Sequence, residues 1–351
     1  MIGRVLMVGV PGPELDETTR STLTRLHAGG VILFRRNVGD PGRLATLCRE
    51  LHELPAHPLI GIDHEGGRVL RVGPPFTAFP PMALVGATDD GELARSVGRA
   101  MATELATVGI DLNFAPVLDV NSNPANPVIG DRAFSDDPDV VARMGIALMH
   151  GLQEGGVLAC GKHFPGHGAT DRDSHRELPV VRRDRSTLER VELLPFRAAI
   201  AAGIPLLMSA HVLYPALDPE RPATLSPKIL QGLLRTQMGF HGVVVSDDLE
   251  MRAISDRHDA GEAAVQTLAA GADLLLVCSD LGKAELAAAA IERAVVDGQL
   301  ARSVLAAAAD RVGALHKPAT RGIPPAVRDL PIAAHALLRD RIEATADAER
   351  A

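Results

Sequence analysis

Aromatic residues are scarce in this chain, whose 351 residues include no tryptophan, one tyrosine and eight phenylalanines. Hydrophobic residues still make up 46% of the sequence, so the core must be built from Leu, Val, Ile and Ala. Cysteine is rarer still, and the three residues Cys48, Cys160 and Cys278 lie far apart. Their odd number and wide spacing argue against a disulfide framework and give no zinc motif. We therefore expect buried free thiols in a reducing compartment.

Excess positive charge and long apolar runs are also absent. The formal net charge is −8, so we expect neither a nucleic acid nor a membrane surface as a partner. No run approaches the roughly 20 apolar residues of a membrane span. The apolar stretch at 5–10 is too short for a signal peptide. We therefore expect a soluble, cytoplasmic protein.

Short apolar segments alternate with helical patterns along the whole chain. We predict strands at 5–10, 31–34, 59–63, within 110–120, and at 157–163, 205–211, 242–248 and 274–278. Among the helices, we predict one over about 185–202 and another that starts at Ser226 and Pro227, with Ser226 as its cap. These strands are apolar on both faces, as parallel strands buried under helices must be. Eight such repeats favour an α/β fold of the (β/α)8 TIM-barrel type over an open doubly wound sheet. We expect the barrel to span residues 1–317 and a helical extension, residues 318–351, to pack on it.

Polar side chains collect at the carboxyl ends of these strands. They are Asp63, Asp119, Lys162 with His163, His211, and Asp247 with Asp248. In a barrel those ends meet on one face, where active sites lie, whereas an open sheet would not bring them together. The stretch 161–175 is the densest, with three histidines, two aspartates and an arginine. Such a density at the end of a buried strand indicates a functional site.

Two groups of residues are candidates for the chemistry itself. Asp247 at the barrel mouth could attack an electrophilic carbon, or one residue of the pair Asp247 and Asp248 could cap the next helix. Asp173 and His175 are two residues apart in a loop, so their side chains could form a hydrogen bond. Asp173 would then orient the imidazole, and His175 would act as an acid and then as a base. His163 and His167 compete for that role.

A third group of cations with one carboxylate surrounds the expected barrel mouth. It consists of Asp63, Arg71, Arg132, Lys162 and His163. This set suits a ligand rich in hydroxyls with carboxylate or amide groups, because Asp accepts from two hydroxyls and Arg binds in a bidentate manner. The alternative is purely structural: Arg132 would pair with its neighbour Asp131, and Lys162 with a strand-end aspartate.

Metal catalysis is a rival explanation for the many histidines. His163 and His167 are four residues apart, but they lie in a loop rich in Gly and Pro rather than on a helix. Zinc geometry is therefore not implied. The glycine pairs match neither a dinucleotide fingerprint nor a phosphate loop. We expect no metal and no cofactor.

At these residues the sequence resembles glycoside hydrolase family 3, and within it the single-domain β-N-acetylhexosaminidases of bacterial cell-wall recycling. The similar segments are 30–37, 63–69 with Arg71, 113–120, 162–168, 173–175, 209–211 and 246–251. The resemblance implies a retaining mechanism, in which Asp247 is the nucleophile and His175, paired with Asp173, is the acid/base. It also implies binding of N-acetylglucosamine by Asp63, Arg71, Arg132, Lys162 and His163.

Two positions depart from the family pattern. Asp131 stands where many relatives have Glu, and Glu250 replaces a small residue. The implied function is an exo-β-N-acetylglucosaminidase that releases N-acetylglucosamine from peptidoglycan-derived muropeptides, with a small carbohydrate as its only partner and the monomer as its working form.

Three alternatives to this function remain. Phosphorolysis is one, because a histidine in place of a second carboxylate removes negative charge beside the site and could admit an anionic acceptor. A β-glucosidase or β-xylosidase of the same family is the second. The third, from another class, is a catalytically inactive sugar-binding barrel.

Overall fold

The computed structural model describes residues 1–174, 177–315 and 326–350, with the side chains described as far as residue 345. The predicted acid/base residue His175 lies outside the described residues. So does the expected boundary between the barrel and the C-terminal extension at 317–318.

Eight parallel strands close into a barrel. In chain order they are β1 (Leu6–Gly9), β2 (Gly30–Leu33), β3 (Leu59–Ile62), β4 (Leu112–Asn113), β5 (Leu158–Phe164), β6 (Leu206–Ser209), β7 (Val243–Asp248) and β8 (Leu274–Val277). Each strand pairs with the next, and β8 pairs with β1 through Leu6 opposite Leu275. The predicted (β/α)8 barrel is therefore confirmed.

Alternate residues of each strand enter two separate layers of core. Met7 packs inside the barrel with Leu112, Leu206 and Leu274. Leu6 and Val8 belong instead to the layer between strands and helices. This alternation follows from the two-residue period of a strand, and both faces are apolar because both are buried.

Helices cover the outside of the barrel. They are α1 (Glu17–Leu26), α2 (Pro41–His52), α3 (Met82–Ala87), α4 (Gly91–Thr107), α5 (Pro138–Glu154), α6 (Arg185–Arg190), α7 (Leu193–Ala201), α8 (Arg252–Ser255), α9 (Ala260–Ala270), α10 (Leu281–Val296), α11 (Arg302–Ala314) and α12 (Ala333–Arg350). A further helix over Lys228–Gln237 has π-type hydrogen bonding. Its N-cap residue is Pro227 rather than the predicted Ser226, although the Ser226 hydroxyl oxygen accepts from the Ile229 N–H at 3.2 Å.

Prolines account for two differences from the predicted elements. The single helix expected over 185–202 is divided into α6 and α7, and Pro195 lies in the first turn of α7. Proline is tolerated there because it has no N–H to donate. The fourth strand is reduced to Leu112–Asn113, since Pro116 cannot donate to a ladder. Only an isolated bridge between Val117 and Lys162 continues that pairing.

Additional elements lie beside the strand ends. A hairpin follows β3, with His64–Gly66 paired to Val69–Leu70, and another follows β6, with Leu213–Tyr214 paired to Asp218–Pro222. The sequence patterns did not predict these hairpins or α3. The first hairpin matters for the site because it carries Glu65 into the barrel mouth.

Within the described part of the C-terminal extension, a 3₁₀ turn at Val327–Asp329 precedes the helix α12. This helix contacts α3 and α4, and its Ile342 is buried. His335 lies with Nδ1 2.8 Å from a carboxylate oxygen of Glu104 on α4. Among the residues that the structure describes, no helix combines the length and the hydropathy needed to cross a bilayer.

Candidate active site

A cavity of about 300 Å³ opens at the carboxyl ends of the barrel strands. Six residues predicted for the site line it: Asp63, Arg71, Arg132, Lys162, His163 and Asp247. Other side chains, including Glu65, His167, Ser174 and Asp248, complete the wall. The volume is at the lower end of small-molecule sites, which suits one sugar ring better than a long chain.

Lys162, at the end of β5, is the central cation of the cavity. Its Nζ lies 2.7 Å from an oxygen of Asp63 and 2.5 Å from an oxygen of Glu65. Burial disfavours the ammonium, but the charges of Asp63 and Glu65 outweigh burial and raise the pKa of Lys162. The side chain therefore stays charged. The sequence left open that Lys162 simply pairs with a strand-end aspartate. That ion pair is present with Asp63, and both of its residues line the cavity.

Arg132 reaches the cavity from the loop that follows β4. Its Nε and Nη2 donate to the two carboxylate oxygens of Glu65, at 2.8 and 2.9 Å. Burial by itself would raise the pKa of Glu65, but Arg132 and Lys162 hold that pKa well below its usual value. Asp131 pairs instead with Arg68 at 3.2 Å. The alternative of an Arg132–Asp131 ion pair is therefore wrong.

Asp63, which directly follows β3, joins two cations. One oxygen faces Lys162, and the other lies 3.5 Å from an Nη of Arg71. The Nε of Arg71 is buried and has no hydrogen-bond acceptor within the described residues. A buried donor without an acceptor is costly unless a ligand or water supplies one. Arg71 is thus placed to donate to a bound molecule.

Asp119 was predicted at the mouth, but it lies behind the cavity wall. It is fully buried and accepts from the His163 Nδ1 at 2.7 Å, and from the backbone N–H groups of His163 and His167 at 3.1 and 2.7 Å. Burial raises the pKa of Asp119, but its contacts with His163 and His167 outweigh burial and lower it. Asp119 therefore orients His163, which lines the cavity.

Asp247 and Asp248 end strand β7 with different contacts. An oxygen of Asp247 accepts from the Asp248 N–H at 2.8 Å. An oxygen of Asp248 accepts from the N–H groups of Glu250 at 3.1 Å and Cys278 at 3.3 Å. Burial, together with the neighbouring charges of Glu250 and Asp247, raises the pKa of Asp248 to about 6.

Neither of these aspartates caps a helix. The next helix, α8, begins at Arg252, and its N-cap residue is Met251. The predicted capping role is therefore wrong for both. Asp248 instead connects the end of β7 to the chain after β8, which forms the adjacent wall of the cavity.

His211 also differs from its predicted place. It is buried, and its ring nitrogens contact the Thr224 hydroxyl at 2.8 Å and the carbonyl oxygen of Asp248 at 2.9 Å. It supports the backbone of β7 and does not line the cavity.

The loop after β5 brings further groups to the wall. Ser174 and His167 both line the cavity, with the Ser174 hydroxyl 3.3 Å from His167 Nε2. Asp173 precedes Ser174, and its carbonyl oxygen accepts from the Glu177 N–H at 3.1 Å. The predicted pair of Asp173 and His175 stays a prediction, because His175 is outside the described residues.

Two wall residues had no predicted role in binding or in the reaction: Glu65 and Ser174. Both lie inside the segments that resemble the family, and that position was the only available signal. Within the described parts of the chain, no group of three or more His, Cys, Asp or Glu side chains could hold a metal ion.

Comparisons with known proteins agree with this geometry. Residues 1–315 match the glycosyl hydrolase family 3 N-terminal domain. A β-hexosaminidase of Thiobacillus denitrificans is 47% identical over 281 residues, which cover 78% of each chain. A β-hexosaminidase of Pseudomonas aeruginosa is 40% identical over 289 residues, covering 82% of this chain and 86% of the other.

Solved structures give the same result. A glycoside hydrolase family 3 β-N-acetylglucosaminidase from Paenibacillus superposes with a TM-score of 0.93 at 42% identity, covering 97% of this chain and 67% of that one. NagZ from Neisseria gonorrhoeae superposes with a TM-score of 0.80 at 36% identity, covering 97% of each chain. The chain therefore belongs to glycoside hydrolase family 3.

Proposed function

We propose that this enzyme is an exo-acting β-N-acetylglucosaminidase that works through a covalent glycosyl–Asp247 intermediate. The observation that carries the proposal is that Asp247 lines the same cavity as the ion pair between Lys162 and Asp63. A single sugar ring can therefore touch a nucleophile and a set of hydroxyl-binding groups together. The names of the relatives, β-hexosaminidase and β-N-acetylglucosaminidase, support the choice of sugar.

Sugar binding is assigned to the charged groups that line the cavity together with Asp247. Asp63 can accept from two hydroxyls, while Lys162, Arg71 and His163 offer donors around it. The Arg71 Nε, which lacks an acceptor within the described residues, suits a hydroxyl or acetamide oxygen. Arg132 contributes less directly, because Glu65 already occupies its donors.

The proposed reaction has two steps. In the first, a carboxylate oxygen of Asp247 bonds to the anomeric carbon, the glycosidic bond breaks, and the His175 imidazolium gives its proton to the departing oxygen. In the second, water attacks the anomeric carbon, its proton goes to His175, and the bond to Asp247 breaks. Asp173 would orient the imidazole through both steps.

The substrate class follows from the size of the cavity and the family resemblance. A cavity of about 300 Å³ holds one ring, so the aglycone would extend outside, as in exo-acting cleavage. We propose that the natural substrates are muropeptides in which N-acetylglucosamine is linked to an anhydromuramic acid carrying a peptide.

Trapping the intermediate tests the nucleophile. A 5-fluoro N-acetylglucosaminyl fluoride should add one glycosyl mass to the protein, and peptide mapping should place it on Asp247. Asp247→Ala should lose about 10³-fold or more in kcat and give no adduct. Asp131→Ala, an exposed aspartate paired with Arg68, is the matched control and should behave as wild type. Label on another residue, or near-normal turnover by Asp247→Ala, would show the assignment to be wrong.

Product analysis tests the acceptor. The enzyme is incubated with N-acetylglucosaminyl-anhydromuropeptide with and without phosphate. Free N-acetylglucosamine in both cases supports hydrolysis, whereas N-acetylglucosamine 1-phosphate formed only with phosphate identifies a phosphorylase. Faster cleavage of a chromogenic glucoside or xyloside than of the N-acetylglucosaminide would contradict the sugar assignment.

A further inference from the structure

We infer that His167 is a positioning residue for the acid/base loop, the loop after β5 that carries Asp173 and Ser174. His167 would hold this loop at the cavity wall through its hydrogen bond to Ser174. This inference rests on the proposed function, because it assumes that Asp173 and the residue after Ser174 deliver the proton. His167 and Ser174 both line the cavity, and neither has a role in the proposed reaction.

The backbone around His167 is fixed from two sides. Its N–H donates to Asp119 at 2.7 Å, and its carbonyl oxygen accepts from the Asn126 side-chain amide at 2.8 Å. The same amide lies 3.0 Å from the carbonyl oxygen of Gly168. A Cβ at Gly168 would lie 1.6 Å from the Val120 carbonyl oxygen, so the loop rests directly on the chain that follows β4. His167 is thus a rigid point on the wall.

The imidazole of His167 is held neutral and in one tautomer. Burial, together with the charge of His163, lowers its pKa to about 4. The Thr170 hydroxyl donates to the His167 carbonyl oxygen at 3.0 Å, and its oxygen lies 2.9 Å from Nδ1. Nδ1 therefore carries the ring proton and donates to Thr170. Nε2 is left as an acceptor for the Ser174 hydroxyl at 3.3 Å.

Ser174 is the point where the loop returns to the protein. Asp171 and Arg172 are exposed, whereas Ser174 is 2% exposed. Its carbonyl oxygen also accepts from the Ala253 N–H at 3.4 Å. Ala253 lies on α8, the helix that follows the segment bearing Asp247. Ser174 therefore links the wall formed after β5 to the wall formed after β7, which bears the proposed nucleophile.

The consequence concerns proton delivery. Ser174 is covalently bonded to Asp173 on one side and to position 175 on the other, so its placement limits how far either can move from the cavity. Without the Ser174–His167 hydrogen bond the loop would be attached less firmly, and fewer enzyme molecules would hold the acid within reach of the leaving oxygen. Sugar binding and attack by Asp247 would be preserved. The defect should therefore depend on how much the leaving group needs a proton.

The test compares kcat/KM on two substrates, the N-acetylglucosaminyl disaccharide and the 2,4-dinitrophenyl N-acetylglucosaminide. This constant reports the steps up to departure of the leaving group, and dinitrophenolate departs without a proton. Ser174→Ala should lose about 10- to 100-fold on the disaccharide and less than about 3-fold on the aryl glycoside, a fraction of the full effect of a general acid. Ser174→Thr keeps the hydroxyl and should restore most of the rate.

Four further variants make the result decisive: His167→Ala, its combination with Ser174→Ala, Ser122→Ala and His175→Ala. Adding Ser174→Ala to His167→Ala should not lower kcat/KM on the disaccharide any further, because the two substitutions remove the same hydrogen bond. Ser122→Ala removes a hydroxyl that contacts Glu192 away from the cavity and should match wild type on both substrates. His175→Ala reports on the proposed function alone and should show the same preference for the aryl glycoside, in larger measure.

Each result either supports or overturns the inference. Equal losses by Ser174→Ala on the two substrates, or no loss on either, overturn it even if His167→Ala fails to fold. If His175→Ala shows the leaving-group dependence and Ser174→Ala does not, the proposed acid stands and the positioning role is wrong. If His175→Ala lowers kcat/KM equally on both substrates, the acid assignment is wrong and the inference fails with it.

Discussion

The Arg132 guanidinium binds the Glu65 carboxylate through two hydrogen bonds of 2.8 and 2.9 Å, and both side chains are shielded from solvent. Glu65 is also 2.5 Å from Lys162. Its one negative charge therefore lies between two buried cations and keeps them close together at the cavity wall.

Removing the charge of Glu65 should destabilise the protein and impair sugar binding together. Glu65→Gln leaves Arg132 and Lys162 incompletely neutralised, and breaking a buried ion pair on one side costs about 3–5 kcal/mol. Urea denaturation measures the loss. Glu53→Gln, which removes an exposed partner of Arg49, should cost less than about 1 kcal/mol. Similar costs for the two variants would contradict the central role of Glu65.

Asp119→Asn tests the support behind His163. Asn offers one carbonyl oxygen where the carboxylate now accepts from His163 twice and from His167 once. We expect a loss of about 1–3 kcal/mol for the donors left unpaired. We also expect kcat/KM to fall about 10- to 100-fold, because His163 would lie misoriented.

Denaturation and kinetics on the same preparation separate these two effects of Asp119→Asn. The exposed Asp131, changed to Asn in the same way, is the control and should differ little from wild type. Unaltered kcat/KM in Asp119→Asn would show that the orientation of His163 does not matter for the reaction.

The stability of the protein should carry a pH dependence that comes from Asp248. Its pKa is raised from 3.8 to about 6, mainly by burial, so the folded state binds a proton more tightly than the unfolded state does. The stabilisation is therefore complete below about pH 4 and is lost as the pH rises through about 6. The rise in pKa corresponds to about 3 kcal/mol.

Asp248→Asn removes this titration while keeping a carbonyl oxygen for the N–H groups of Glu250 and Cys278. The free energy of unfolding of wild type, relative to the variant, should fall by up to about 3 kcal/mol between about pH 4 and pH 7. Denaturant titrations at several pH values measure it. A constant difference across that range would rule out the raised pKa.

The C-terminal extension is proposed to stabilise the barrel through His335. The buried carboxylate of Glu104 accepts from His335 at 2.8 Å, and from the N–H and hydroxyl of Thr77 at 2.7 Å each. His335→Ala should cost about 1–3 kcal/mol, with kcat per folded molecule unchanged. Leu337→Ala on the same helix removes a side chain that is 70% exposed and should change stability by less than about 0.5 kcal/mol. Equal stabilities would argue that α12 does not dock in solution.

Much of the site was predictable because barrel topology converts position in the sequence into position in space. Asp63, Lys162 and Asp247 each stand at the end of an apolar strand, and parallel strands in a closed barrel bring such ends together. Glu65 and Ser174 gave no comparable signal, since a Glu or Ser in a loop is usually a solvated residue. Only their contacts with Arg132 and His167 set them apart.

The sequence by itself determined the barrel and the set of strand-end residues, because apolar runs and their spacing along the chain encode burial and strand order. Only the tertiary structure decided which of those residues face the cavity and which support it from behind. Asp119 and Asp247 have the same local pattern, an aspartate after an apolar strand, yet one orients two histidines and the other lines the pocket. The difference arises from the groups that neighbouring strands place beside each carboxylate, and those neighbours are distant in the sequence.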